Sequence, residues 1–381
     1  MFDYSIKGSG FKAVYMALKL RKKYPKASIS INTKNLGGIY TSIKHDGYYL
    51  DIGCHLFDSN DKRFLNIFEI NQNKMVFVDN NYASINKNGL TENYAIYDFR
   101  NHKNYNKIKQ SFLENFSKIR EISSLNSLYD YYFFRYGEEV TKIIDSFCVD
   151  FTGFSSKDID SRSRGAFPFR RLLMFDNKHS LKLKKEGYED FLAAESKYVH
   201  DYSKNHIAFT FKNGNSGFIS HVKSILENKN IKILESVNST TISIEIDNSK
   251  DGFEQIKIPL HLIYFITEKF PYDYLTDYSN SPVFRISAAG HYSRQFLNKK
   301  SYVCVEITDP NQQYTKNDCV EFAEQYLMRY CKPEYLHYLY FKNSYPVFKF
   351  TKKNIKSNTV NFFNYTKSSI MDNIDHIVEQ L

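Results

Sequence analysis

Apolar positions in the first sixty residues come in short runs separated by glycine and polar turns. Tyr4 to Ile6 is one such run, short enough for a strand and too short for a helix. Gly8-Ser9-Gly10-Phe11-Lys12-Ala13 follows it. Ala13, Val14, Ala17, Leu18 and Leu20 then recur at spacings of three and four, which predicts a helix. Tyr24-Pro25 closes that helix, since a residue before proline is biased away from helical backbone. Ala27 to Ile31 reads as a second strand. After Leu36-Gly37-Gly38 the pattern predicts a hairpin, with His45-Asp46-Gly47 at the turn and Tyr48 to Ile52 as the return strand.

Farther on, residues 61–70 read as a helix and Met75 to Val78 as a short strand. Asn86-Lys87-Asn88-Gly89 is a turn between extended pieces. From Tyr105 to about Asp150 the period is helical, with Phe112, Phe116 and Ile119 on one face and a dense aromatic run over 131–136 that reads as core. Residues 155–164 form a polar loop, and Phe167-Pro168-Phe169-Arg170-Arg171 is either a surface pair or a diphosphate grip. Phe211 to Phe218 is a glycine loop entering a helix through Val222, Ile225 and Leu226. Strands are predicted at Ile231 to Leu234, 240–246 and Leu260 to Thr267. The last is a nearly continuous apolar run, as a strand buried on both faces would be. Phe284 to Ser287 and Tyr302 to Ile307 alternate, and Asp318 to Cys331 reads as a helix.

Composition narrows the picture. With 381 residues, 42% hydrophobic and 17% aromatic, the chain is globular and long enough for two joined domains. A net charge of +10 favours anionic partners or a lysine-rich surface. The arginines and lysines are spread along the chain, which argues against nucleic acid. The five cysteines lack C-x-x-C spacing, so reduced thiols in a cytoplasmic setting are expected, without a disulfide framework or zinc site. His261, His291 and His337 are scattered and mark no metal site. No apolar run approaches the ~18 residues of a membrane span, which leaves peripheral membrane contact open.

Candidate chemistry concentrates in the strand–glycine turn–helix at the start. In a G-x-G-x-x-A turn, the first glycine permits the tight turn and the second lets backbone approach a pyrophosphate. The small third residue allows close helix packing. Here these are Gly8, Gly10 and Ala13, with Ser9 between the glycines. Together with Gly37-Gly38 and Asp51-Ile52-Gly53-Cys54-His55-Leu56-Phe57, the segment resembles the N-terminal motif of the flavin amine oxidase, protoporphyrinogen oxidase and UDP-galactopyranose mutase superfamily. Asp46-Gly47, Asp51, Gly53, His55 and Phe57 match its D-G-x-x-x-D-x-G-x-H-x-F segment, and residues 57–62 resemble the mutase branch. Two positions depart from the pattern. Asn32 stands where an acidic residue accepts from the adenosine ribose, and the 361–372 tail lacks the expected Gly-Asp.

The resemblance implies an α/β fold: a Rossmann-like FAD-binding domain over 1–90, 205–270 and 345–381, and a discontinuous substrate domain over 91–204 and 271–344. It implies FAD as cofactor, held by Gly8, Ser9, Gly10, Ala13, Asn32, Gly37, Gly38, Gly53, His55 and Asn364. Catalytic roles fall to His55, Arg285 and Tyr345. The implied activity is an FAD-dependent oxidoreductase acting on a small metabolite or sugar. The alternatives are a flavin-dependent nucleotide-sugar mutase, and a non-catalytic or NAD(P)-binding relative. No metal is implied.

Overall fold

The computed structural model describes residues 2–380 except 54–55, 60, 80, 93–96, 117–125, 170, 187–207, 236–239, 246–252, 280, 343–346 and 351–366. The chain opens with strand β1 (Phe2–Lys7), helix α1 (Phe11–Lys23) and strand β2 (Ile29–Asn32). β1 and β2 run parallel, with Ile6 opposite Ile31 and Lys7 opposite Asn32. Parallel neighbours need a crossover, and α1 supplies it. Strands β3 (Ser42–His45) and β4 (Tyr48–Asp51) form the expected hairpin. Its two-residue turn has Asp46 at φ +44° and Gly47 at φ +84°, the left-handed pair that matches strand twist.

Helix α2 (Lys62–Ile67) is capped by Asp61, whose carboxylate accepts from the Phe64 N–H at 2.9 Å. Strands β5 (Tyr82–Asn86) and β6 (Gly89–Glu92) pair across the predicted turn. The helical region after Tyr105 is divided into α3 (Tyr105–Phe116), α4 (Leu128–Tyr136) and α5 (Glu138–Thr152). Ser127 and Asp130 form a capping box at the start of α4. Tyr131, Tyr132 and Tyr136 of the aromatic run lie in this cluster, where Tyr132 and Tyr136 pack with Phe112 and Phe169; the core reading holds for these three, whereas Phe133 is exposed.

Helix α6 (Gly214–Asn228) then leads to β7 (Ile231–Leu234) and β8 (Thr240–Glu245). These complete a four-stranded parallel sheet in the order β7-β2-β1-β8. The C-terminal helix α8 (Lys367–Gln380) packs Met371, Ile374 and Val378 into the same core as α1. Arg63 of α2 pairs with Asp372 and Asp375, and Lys19 of α1 reaches Asp375 at 2.9 Å.

Further strands are β9 (Leu260–Thr267), β10 (Tyr274–Asp277), β11 (Val283–Ser287), β12 (Ser301–Thr308) and β13 (Glu334–Phe341), with helix α7 (Lys316–Leu327) before the last. They join β5 and β6 in a seven-stranded sheet, ordered β13-β9-β12-β11-β10-β5-β6. The run 260–267 pairs with β12 and β13, and β5 belongs to the same sheet. One expectation is corrected here. The alternation expected for 284–287 and 302–307 gives way to near-continuous burial. Val303, Val305 and Ile307 face α7, while Tyr302 and Cys304 face the β3–β4 hairpin side. Both faces are covered at these two inner strands, so no solvent face remains there to set a period of two.

Arg285 lies in β11 opposite Glu306 of β12. Its Nε and Nη2 donate to the two Glu306 oxygens at 2.7 and 2.5 Å, and Nη1 donates to the Tyr274 hydroxyl at 2.8 Å. Glu306 is fully buried. Removing one member of such a pair leaves an uncompensated buried charge. Arg285→Met is therefore expected to destabilise the protein by about 3–5 kcal/mol. Combining it with Glu306→Leu should recover most of that loss in urea unfolding. A double variant as unstable as the single one would contradict the pairing.

Candidate functional site

The two glycine turns predicted from sequence meet face to face. Gly10 precedes the first turn of α1 as its cap, and that turn carries no acidic residue. The Gly37 N–H donates to the Ser9 carbonyl at 2.7 Å, and the Gly8 N–H to the Asn32 carbonyl at 3.4 Å. Gly38 adopts φ +57°, and a Cβ built there would lie 3.0 Å from the Gly10 Cα. Backbone thus approaches backbone with no room for a side chain between. The opening helix N-terminus presents N–H groups and the positive end of the helix dipole. That combination fits a dinucleotide's pyrophosphate: donors pointed outward, no carboxylate in the first turn, and a surface that a Cβ would fill.

Lys12, half-buried in that first turn, has its ammonium pushed down to about 8 by burial. A cation beside a helix N-terminus is doubly disfavoured, by desolvation and by the dipole. An anion at the turn relieves both.

Next to the turn stands a buried carboxylate. Asp51, at the end of β4, accepts from the Ser42 hydroxyl at 2.7 Å and from the Asn215 N–H at 3.1 and 3.2 Å. Its backbone is held as well. The Tyr264 hydroxyl donates to the Asp51 carbonyl at 2.8 Å, and the Asp51 N–H donates to the Tyr302 hydroxyl at 3.2 Å. The hairpin, the N-terminus of α6 and two strands of the seven-stranded sheet therefore converge on one residue. Gly214 has φ +60°, and a Cβ there would collide with the Asp51 carboxylate. Burial pushes the Asp51 carboxyl up to about 7, against the opposing pull of the Ser42 and Asn215 hydrogen bonds.

Of the residues expected to bind cofactor, Gly8, Ser9, Gly10, Asn32, Gly37 and Gly38 lie together at the turns, and Ala13 is buried in the adjoining core. Gly53 is buried two residues past Asp51, in a segment tied to the glycine turn by the Ile52 N–H donating to the Thr41 carbonyl at 3.3 Å. His55, Tyr345 and Asn364 lie outside the described residues. Arg285 is not part of this group and is committed to Glu306 and Tyr274. Sequence reasoning missed Lys12, Ser42, Tyr264, Tyr302 and Asn215. The glycine-flanked start of α6, Gly214-Asn215-Ser216-Gly217, was the one local signal that pointed to Asn215. Among the described residues no group of three His, Cys, Asp or Glu side chains is placed to hold a metal ion. None of their helices is long and apolar enough to cross a membrane.

No protein-family model and no curated protein sequence matches the chain. Solved structures match its fold. A reduced UDP-galactopyranose mutase superposes with a TM-score of 0.61 at 10% identity, covering 91% of this chain and 84% of its own. A candidate protoporphyrinogen oxidase from Exiguobacterium reaches 0.61 at 9% identity, with 99% and 98% covered. Cyclohexylamine oxidase from Brevibacterium oxydans reaches 0.59 at 10% identity, with 100% and 98% covered. The chain therefore has the α/β fold shared by these proteins, as the N-terminal resemblance implied.

The Asp51 geometry generates a pH prediction. Its folded pKa, near 7, lies above the unfolded value of 3.8. Its contribution to stability is therefore fully present below pH ~4 and is lost as pH rises through ~7. In Asp51→Asn, Oδ1 still accepts from Ser42 and Asn215 while the titration disappears. The difference in melting temperature, variant minus wild type, should be larger at pH 8 than at pH 5. An identical difference at the two pH values would show that Asp51 does not titrate in this range.

Proposed function

We propose that this chain is an FAD-dependent enzyme acting on a small metabolite or sugar. The reading rests on one observation above the others: the stacked Gly10 and Gly38 turns at the N-terminus of a 13-residue helix. The fold likeness to an amine oxidase and a mutase supports it. In this reading Gly8, Ser9, Gly10, Gly37 and Gly38 cradle the pyrophosphate, and Asn32 meets the adenosine ribose. Gly53, His55 and Asn364 are the further proposed cofactor-binding positions. A bound flavin would supply hydride acceptance; the chain supplies binding, orientation and exclusion of water. His55 and Tyr345 are the proposed catalytic positions. Arg285, held by Glu306 and Tyr274, is assigned a supporting part in the sheet beneath.

The oxidoreductase form is preferred. The nucleotide-sugar mutase form is the second reading, favoured by the resemblance of residues 57–62 to the mutase branch. An NAD(P) site fits less well, because Asn32 offers the ribose no carboxylate.

Two outcomes are expected. The purified or FAD-reconstituted protein should absorb in the blue, and an oxidisable substrate should bleach it without oxygen. If instead the reduced protein interconverts ring forms of a nucleotide-sugar with no net electron consumption, the mutase form is correct. A colourless protein that takes up no FAD in calorimetry would end both readings. Gly38→Ala should weaken FAD binding by roughly fivefold to a hundredfold. It forces a side chain into a left-handed backbone and against Gly10, and strain of about 1–3 kcal/mol there opens the turn. Wild-type affinity in that variant would remove the stacked turns from the site.

A further inference from the structure

Asn215 is fully buried, and neither its side-chain Oδ1 nor its Nδ2 has a hydrogen-bond partner. A buried carboxamide in that condition is costly, because both ends were hydrogen-bonded in water. Asn86 shows how this protein otherwise treats such a group. Buried in β5, it donates through Nδ2 to the Asp98 carbonyl at 2.8 Å and accepts through Oδ1 from the Asn88 N–H at 2.8 Å. Gln295, also buried, uses its amide on Tyr49 and Ser293. Asn215 is the exception among these three.

Its position gives the exception a meaning. Asn215, Phe218, Ile219 and Val222 are spaced i, i+3, i+4 and i+7 along α6, so they share one face. The last three line a small cleft with Ser9, Gly10 and Gly37. Ile219 lies 3.4 Å from a Cβ built on Gly37. Asn215 is thus the N-terminal end of the stripe that α6 turns toward the glycine turns. Its backbone N–H is fixed by Asp51, which belongs to the hairpin leaving Gly37-Gly38, whereas the adenosine side is marked by Asn32 at the end of β2.

Building on the FAD reading above, we propose that the Asn215 carboxamide binds the flavin half of the dinucleotide. It donates through Nδ2 and accepts through Oδ1 to a ligand edge that carries an acceptor beside a donor, as the imide edge of an isoalloxazine ring does. A side chain with both atoms available complements such an edge in one plane. The role is one of binding and positioning and requires no covalent step.

The test compares FAD with ADP, which carries only the adenosine half. Both are titrated into wild type, Asn215→Leu and Asn215→Asp at one salt concentration, by calorimetry and by flavin absorbance. The Leu variant removes both hydrogen bonds at similar volume. The Asp variant keeps an acceptor and loses the donor, and it guards against a Leu variant that fails to fold. Both variants should lose about tenfold in FAD affinity, the scale of one to two hydrogen bonds. ADP affinity should stay within about twofold, and the absorbance bands of the bound flavin should shift. Unchanged FAD affinity and spectrum in either folded variant would overturn the proposal. Parallel losses for FAD and ADP would overturn it too, by showing that Asn215 merely shapes the fold. Wild type alone tests the underlying reading: if it binds no FAD, that reading fails, and this inference with it.

Discussion

A carboxylate buried where two sheets meet is the constraint that the rest of the architecture accommodates. β4 belongs to a two-stranded hairpin, so among the described residues one of its edges has no strand to pair with. Side chains of the seven-stranded sheet satisfy that edge instead. Tyr264 and Tyr302 bond the Asp51 backbone, Tyr302 also donates to the Tyr49 carbonyl at 2.9 Å, and Gln295 accepts from the Tyr49 N–H at 2.7 Å. The Asp51 side chain faces the other way and receives the α6 N-terminus, where the helix dipole favours negative charge. Burial alone would expel such a group. Only the conjunction of Ser42, the Asn215 N–H and the glycine at 214 allows it to stay. The position of the glycine turns relative to the large sheet follows from this single junction, because the hairpin begins directly after Gly37-Gly38.

That junction also explains which parts of the fold could be read from the chain. The glycine turn, α1, β2 and the β3–β4 hairpin were legible because their causes are local: glycine φ freedom, a 3.6-residue apolar period, an Asp-Gly turn. The helical character of 105–150 was legible for the same reason, and its break at Gly137, at φ +81°, is likewise a local signal. The run 260–267 was legible as a strand but not as a member of one sheet or the other. A strand buried on both faces has no period, and its partners lie far along the chain, at 301–308 and 334–341. Arg285 illustrates the same limit from the side of chemistry. The family resemblance implied a catalytic role for Arg285. Its partner Glu306 stands opposite only through strand register, which composition cannot supply. Asn215 is harder still, since the lack of a partner is a property of the folded surroundings and leaves no mark on the sequence.

The electrostatics of the proposed site point to a particular division of labour along the dinucleotide. In the proposed reading, the pyrophosphate would be met by backbone N–H groups, by a helix N-terminus without acidic residues in its first turn and by Lys12 in that turn, in a chain of net charge +10. The adenosine ribose is offered a neutral amide at Asn32. Hydrogen bonds between neutral groups contribute about 0.5–1.5 kcal/mol, against roughly 1.5–3 when one partner is charged. The adenosine end is therefore the weaker anchor, by about 1 kcal/mol relative to a site with a carboxylate there. A buried carboxamide at Asn215 works in the opposite sense. In a site closed to water, a hydrogen bond is stronger than the same bond at a solvated ribose. If the proposed assignments hold, the charge attraction would act at the centre of the dinucleotide and the best-shielded polar contact at its flavin end, a distribution that favours fixing the reactive ring over fixing the nucleotide tail.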